Sequence, residues 1–400
     1  MRHPRRWAGA YALVIGILAI VFAGAILTGP YRAVQRSDYM TYLTAARIVL
    51  EARGECLYTV ACQTRVQRDL IGKEPSFEGG ALPFNSPPWL AALVVPLGPL
   101  PLEVAFGVFT LLSLALLALA AWRLAWGGTA TRLVATVLVL TAWPTVMGGI
   151  RGQSTLAVAA LLGLSVAASL AGRQRRMGAY LGLAALKPTL PVVWVIRLLV
   201  ERRGRALATA AAVVVGLVLL AVLVVSPKAV MDYPAYLLNL AGTDAAVGVH
   251  VDEMINWRGV AQRLGADGTP LVAVAVIATL ALVAAAWWWA RRSPRAPALG
   301  AAISLVATPL VIPHANQHEA ILAALGILVA IAALEELRGQ LATAAVGLQG
   351  LMWIGPVLTG QGAGWLLFLA LLASLGGLAA LARREGTRYF RPVPVPPGTD

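Results

Sequence analysis

Long apolar runs, nearly empty of Asp, Glu, Lys and Arg, follow one another along most of the chain. They cover residues 8–29, 102–123, 132–149, 154–172, 205–225, 270–290, 297–313, 318–334, 341–358 and 363–382. A helix needs about 20 apolar residues to cross a bilayer core of about 30 Å. Each run is therefore read as one full transmembrane helix, about ten in all, in an all-α polytopic integral membrane protein. The interval 339–382 carries no charge, but Gly355-Pro356 and the stretch 359–364 divide it into two spans. Residues 177–200 are two apolar halves parted by Lys187-Pro188, each too short to cross, and are read as a broken hairpin. Residues 88–99, with Pro87, Pro88, Pro96 and Pro99, are read as a short re-entrant dip.

The basic residues orient this array, because Lys and Arg collect at cytoplasmic helix ends. Arginines cluster at 2–6, 123–132, 173–176, 202–205, 291–295, 338 and 383–384. Threading the spans between these clusters without a parity conflict requires 177–200 to enter and leave on the cytoplasmic side and 88–99 to dip from outside. Both termini are then cytoplasmic. The outer side receives loops 29–87 and 226–269 and the turns around Arg151, His314 and Gly360, where most of the remaining polar residues gather. Residues 1–390 form one membrane domain, with 391–400 as a Pro-rich disordered cytoplasmic tail. The first apolar run is longer than a signal-peptide core and lacks a small-residue cleavage site, so it is kept as an anchor.

Composition agrees with this reading. The 400 residues are 59% hydrophobic and only 12% charged, where a soluble domain carries about 25% charged residues. A disordered chain, a coiled coil and a disulfide-dense secreted scaffold are excluded. The net charge of +14 is accounted for by the cytoplasmic arginines, and nucleic acid is not expected as a partner. Cys56 and Cys62 lie in the first outer loop, where five intervening residues permit a disulfide, with two free thiols as the alternative. No CxxC, HExxH, Walker loop or GxGxxG after a strand occurs, so neither a metal nor a cofactor is expected.

Several polar residues stand out against the apolar background. Asp38 opens an amphipathic stretch with Tyr42, Ala46, Val49 and Leu50 on one face, read as an interfacial helix of the outer loop. Its carboxylate suits an N-cap, or a general base for a hydroxyl acceptor. Lys187 is one of only three lysines and the one set within apolar sequence, at a helix break. An ionisable group at that depth is read as functional, here as a point charge for a phosphate, with a snorkelling lysine as the alternative. Arg151-Gly152-Gln153 stands between two spans, a place for an anion or sugar contact at a helix start, or a plain turn. Asn256-Trp257-Arg258-Gly259 in the second large loop offers Arg258 to a phosphate, or to solvent. Pro313-His314-Ala315-Asn316-Gln317-His318-Glu319 gathers two of the four histidines. Helix capping absorbs Asn316 and Glu319 but leaves both histidines in need of partners or a ligand. Trp287–Trp289 beside Arg291 and Arg292 reads as an aromatic belt.

These motifs, in this order, resemble glycosyltransferase family 87, membrane enzymes of the GT-C type. The resemblance rests on Ser37-Asp38-Tyr39 with Tyr42, Ala45-Ala46, Gly54 and Tyr58; Pro87-Pro88; Gly152-Gln153; Gly182 to Pro188 with Lys187; Arg258-Gly259; and Pro313-His314 with Glu319. It implies a GT-C-like fold and inverting transfer of a sugar, mannose in the best-known case. The sugar comes from a polyprenyl-phosphate donor and goes to a lipid- or glycan-linked acceptor on the outer face of the cytoplasmic membrane. Asp38 would be the base. Lys187, Arg258 and Arg151 would face the donor phosphate. His314, Gln153, Tyr42, Asn256, His318 and Glu319 would line the sugar and acceptor sites. His318-Glu319 stands where the family often has Tyr-Asp, a departure that bears on acceptor and sugar identity.

Two other readings compete. A secondary transporter or lipid-linked-sugar flippase also uses broken helices and buried charge, but calls for internal repeats and midplane charges, neither of which the sequence offers. A structural scaffold leaves Lys187 and the 313–319 cluster unexplained. Membrane lipids are partners under every reading.

Overall fold

A computed structural model describes residues 32–75, 80–241, 254–266, 270–359 and 364–389, with a few isolated positions between 13 and 24. The run at 8–29 and the Pro-rich tail lie outside the described residues. Among the described residues the fold is all-helical, without a β-strand. The principal helices are α1 (Tyr39–Leu50), α2 (Val60–Ile71), α3 (Pro88–Val94), α4 (Leu102–Leu124), α5 (Thr129–Leu140), α6 (Trp143–Ile150), α7 (Thr155–Leu170), α8 (Gln174–Leu183) and α9 (Val192–Val200). They continue with α10 (Gly204–Val224), α11 (Pro227–Ala241), α12 (Trp257–Arg263), α13 (Pro270–Ala290), α14 (Ala296–Val311), α15 (Ile321–Ala333), α16 (Arg338–Thr359) and α17 (Gly364–Tyr389).

Four of these, α4, α10, α13 and α17, are long and apolar enough to cross a membrane. Two bent pairs raise the number to as many as six: α5 with α6, bent by 55°, and Gln317–Ala333 with Glu335–Trp353, bent by 107°. Ten full spans are therefore not reached among the described residues, and the reasons are local. Pro144, in the first turn of α6, lacks the N–H that would continue α5. The runs at 154–172 and 297–313 become α7 and α14, each of 16 residues, about 24 Å long at 1.5 Å per residue. Both are buried on nearly every side, whereas only 17% of α10 and of α13 is buried. A helix that is apolar all round belongs either in lipid or in a protein core, and α7 and α14 are core. The expected division of 339–382 into two helices is present, but it falls at 359–364: α16 runs through Gly355-Pro356 to Thr359, and α17 begins at Gly364.

The hairpin expected at 177–200 is observed: α8 passes through a single 3-10 turn, Ala184–Leu186, into the Lys187-Pro188 break, and α9 follows. The first loop departs from expectation. α1 is not an interfacial helix but a buried one, with Tyr39 to Ala46 and Ile48 all inside and only Leu50 well exposed. α3, the start of α4, Phe84 and Ala229 of α11 cover it in a second apolar cluster. Cys56 and Cys62 are joined, S–S 2.02 Å, and pack with Ile48 and Val66.

The helices also separate charge along their length. α7, α14 and the segment 317–333 turn one end toward Thr155, His314 and Glu319, and the other toward Arg173, Arg295 and Arg338. At the arginine end, Arg295 bonds Glu336 at 2.7 Å and Glu385 at 2.8 Å, tying the α13–α14 turn to α17. The polar residues singled out above collect at the opposite end.

Candidate active site

Asp38 occupies the N-cap position of α1, but its side chain makes no capping hydrogen bond. Thr41 instead donates its N–H and Oγ1 to the Asp38 carbonyl, at 3.0 and 2.8 Å. The carboxylate is left for another purpose: its Oδ2 accepts from Gln153 Nε2 at 2.5 Å, and Oδ1 has no hydrogen bond among the described residues. Gln153 reaches it because of the turn before α7. Gly152 sits at φ 59°, and a Cβ there would meet Tyr39 Cβ at 2.6 Å and the Phe106 ring at 2.8 Å, so only glycine lets the turn dock on α1. The Tyr39 N–H closes the contact by donating to the Arg151 carbonyl at 3.3 Å. One turn of α1 further on, buried Tyr42 donates its hydroxyl to Ser154 Oγ at 3.1 Å.

Lys187 ends the 3-10 turn after α8, where Pro188 prevents the helix from continuing. Its Nζ donates to Thr155 Oγ1 at 2.9 Å and pairs with the Glu319 carboxylate. Glu319 is fully buried and fully occupied. Oε1 also takes Thr155 Oγ1 at 3.0 Å and faces His318 Nε2 at 3.0 Å, while Oε2 accepts the Asn316 N–H at 2.7 Å. The Glu319 carboxylate pairs with Lys187, two of whose three donors are used while one remains. His318 faces the pair through Nε2. Asn316 Oδ1 is buried without a partner.

The second large loop enters through Asn256, which is 1% exposed. Its Oδ1 caps α12 by accepting from the Gly259 N–H at 2.9 Å, and its Nδ2 donates to the Ile312 carbonyl at 2.8 Å. Asn256 thus acts as a structural clasp, using one N–H and one lone pair of its amide. The clasp brings α12 beside the His314 loop, where the Ile255 N–H donates to the Ala315 carbonyl at 2.8 Å. Arg258, half-buried on α12, has no ion pair or hydrogen bond among the described residues. His314 lies 3.4 Å from Asn316 Nδ2. Burial, reinforced by the charges of Lys187 and Arg258, pushes it down to about 4, so it is neutral at physiological pH.

These groups form one site. Asp38 and Tyr42 lie within electrostatic reach of Lys187, and Lys187, Glu319, His318 and Arg258 within reach of His314. Arg151 joins through its backbone carbonyl. Thr155, which bridges Lys187 and Glu319, escapes sequence reasoning; its signal is the run Gln153-Ser154-Thr155, which reads only as a helix start. Trp89 is likewise unforeseen: its Nε1 donates at 2.9 Å to the carbonyl of Ala185, two residues before Lys187. Among the described residues, no three of His, Cys, Asp and Glu come together in a way that could hold a metal ion.

The model of glycosyltransferase family 87 matches residues 84–313. The chain belongs to glycosyltransferase family 87. No curated protein and no solved structure matches it. The matched segment of this glycosyltransferase carries Arg151, Gln153, Lys187, Asn256 and Arg258, while Asp38 and Tyr42 precede it and His314, His318 and Glu319 follow it. Helix packing brings the flanking residues onto the matched ones. A glycosyltransferase must activate an acceptor hydroxyl and accommodate a leaving group. Among the described residues, the Asp38 carboxylate has an open oxygen and the Arg258 side chain has no ion pair, while Lys187 and Glu319 pair with each other.

Proposed function

We propose that this glycosyltransferase moves a sugar, mannose in the first instance, from a polyprenyl-phosphate donor to a hydroxyl of a glycolipid or glycan, with inversion. The observation that carries the reading is the Asp38 carboxylate: excluded from capping, oriented by Gln153, and left with an open oxygen. In the reaction Asp38 takes the acceptor proton as the acceptor oxygen attacks the anomeric carbon, and the bond to the donor phosphate breaks with its electron pair on the phosphate. Phosphate is a good leaving group, and no covalent enzyme intermediate is required.

The phosphate leaves against Arg258 and the third N–H of Lys187, both cationic donors suited to an anion that gains charge in the transition state. His314 and Asn316 Oδ1 line the sugar side, with His314 as a neutral hydrogen-bonding group. The arginine-rich helix ends opposite the site, read by the positive-inside rule, support a reaction on the outer face of the cytoplasmic membrane.

The test is a transfer assay with purified protein in lipid, labelled polyprenyl-phosphate-mannose and a membrane extract from the source cell as acceptor. Label in a new glycolipid or glycan is the expected outcome. Donor that binds but is never consumed, with any acceptor fraction, would sink the proposed donor and sugar.

A further inference from the structure

The arginine end of the molecule holds a cavity of about 560 Å³, lined by Gly172, Arg173, Gln174, Arg175, Arg176 and Arg205. We propose that this cavity binds a phosphate-bearing anion, supplied by the headgroup of an anionic phospholipid.

The cavity is assembled by close packing. A Cβ on Gly178 would come within 2.2 Å of the Ala206 carbonyl, and one on Gly182 within 2.7 Å of that of Ala210. The four-residue step has the same sense in both helices, so α8 and α10 run parallel and start side by side. Gly172, at φ 70°, makes the tight turn that returns the chain from α7 to α8. Arg173, Arg175 and Arg176 are thereby set on one concave surface with Arg205.

Topology alone explains why arginines stand at this end, but not why four without a partner among the described residues surround one cavity. Arg123, Arg202, Arg383 and Arg384 also have no side-chain partner there, but none of them lines this cavity, and several other basic groups are answered within the protein. Arg295 pairs with Glu336 and Glu385, and Arg338 with Glu335. Arg292 lies over the rings of Trp288 and Trp289, and Arg132 over Trp122. The carboxylate nearest in sequence to Arg205, Glu201, is held by Arg197 at 2.7 Å and Arg203 at 3.2 Å. Among the described residues, the side chains of Arg173, Arg175, Arg176 and Arg205 have no ion pair, hydrogen bond or ring contact. Four like charges around one cavity repel, and a phosphate accepting from several guanidiniums relieves that repulsion. A bilayer places such phosphates at this depth, and basic pockets at a membrane surface take anionic headgroups.

The experiment is native mass spectrometry of the full chain in detergent, titrated with phosphatidylglycerol or phosphatidylcholine, with and without inorganic phosphate. One variant combines Arg173→Gln, Arg176→Gln and Arg205→Gln; a charge-matched control combines Arg291→Gln, Arg292→Gln and Arg384→Gln. The wild type is expected to retain phosphatidylglycerol over phosphatidylcholine. The cavity variant should bind it roughly 100-fold more weakly, at about fivefold per arginine lost near an anionic surface, with the control close to wild type. Inorganic phosphate that binds alone and displaces the lipid supports the site and makes a soluble anion its source. Equal retention of the two lipids by the wild type, unchanged binding by the cavity variant, or an equal loss in the control overturns the proposal. The lipid comparison on the wild type needs no variant to fold.

Discussion

Replacing Glu319 with Gln removes the charge that holds the two halves of the site together. Gln keeps the shape, but its single amide oxygen can replace only one of the two carboxylate oxygens that accept from Thr155 and from the Asn316 N–H, so the negative charge facing Lys187 is lost together with one acceptor. Breaking a buried ion pair from one side costs about 3–5 kcal/mol, because it leaves the other charge uncompensated. Here the carboxylate is fully buried while the Lys187 side chain is 24% exposed, so water offsets part of the loss and the expected cost is at the lower end, about 3 kcal/mol. SDS unfolding in mixed micelles measures it. Lys187→Met should cost a similar amount, and the double variant less than the sum of the two, by at least about 2 kcal/mol. A Glu319→Gln cost below about 1 kcal/mol, or a cycle additive within about 0.5 kcal/mol, would refute the pair as the organising contact.

Three further outcomes are expected. Gln153→Ala leaves Asp38 without its orienting amide, and kcat should fall by about 100-fold, the scale of a 1 Å misplacement, with donor Kd unchanged in a binding assay. Arg258→Ala should raise donor KM by roughly 10- to 100-fold, the worth of one hydrogen bond between charged groups, with a smaller change in kcat. His314, normally near 6.5 and held at about 4, binds fewer protons folded than unfolded. Its contribution to stability is therefore full above about pH 6.5 and declines as pH falls toward 4. The Tm of His314→Gln should then fall less than that of wild type over that window, and an identical fall in both would show that His314 is not held neutral.

Asp38, Gln153, Lys187, Arg258 and the 313–319 cluster were legible in the sequence because polar residues in an apolar chain have few bland explanations. Their partners were not. Glu319 lies 132 residues from Lys187, and the Ile312 carbonyl lies 56 from Asn256, so neither the paired charge nor the amide's partner has a local signature. The expected ten spans exceed the four to six that length and composition support among the described residues, because the buried α7 and α14 and the largely exposed α10 and α13 draw on the same apolar residues. α1 misled in the opposite way, since its amphipathic pattern suggested a surface helix while α3 and Phe84 cover its other side. The broken hairpin was readable because Lys187-Pro188 interrupts both periodicity and hydrogen bonding at one point.

Asp38 as the general base is tested most directly by single-turnover transfer with Asp38→Asn beside wild type. Both should be reconstituted in lipid with saturating donor, and donor binding measured in the same samples. Asn can still accept from Gln153, so the fold and the donor Kd should be unchanged while transfer falls by roughly 100- to 10,000-fold, the range for loss of a general base. Transfer within about tenfold of wild type with the donor bound equally would contradict the assignment of Asp38 as the base.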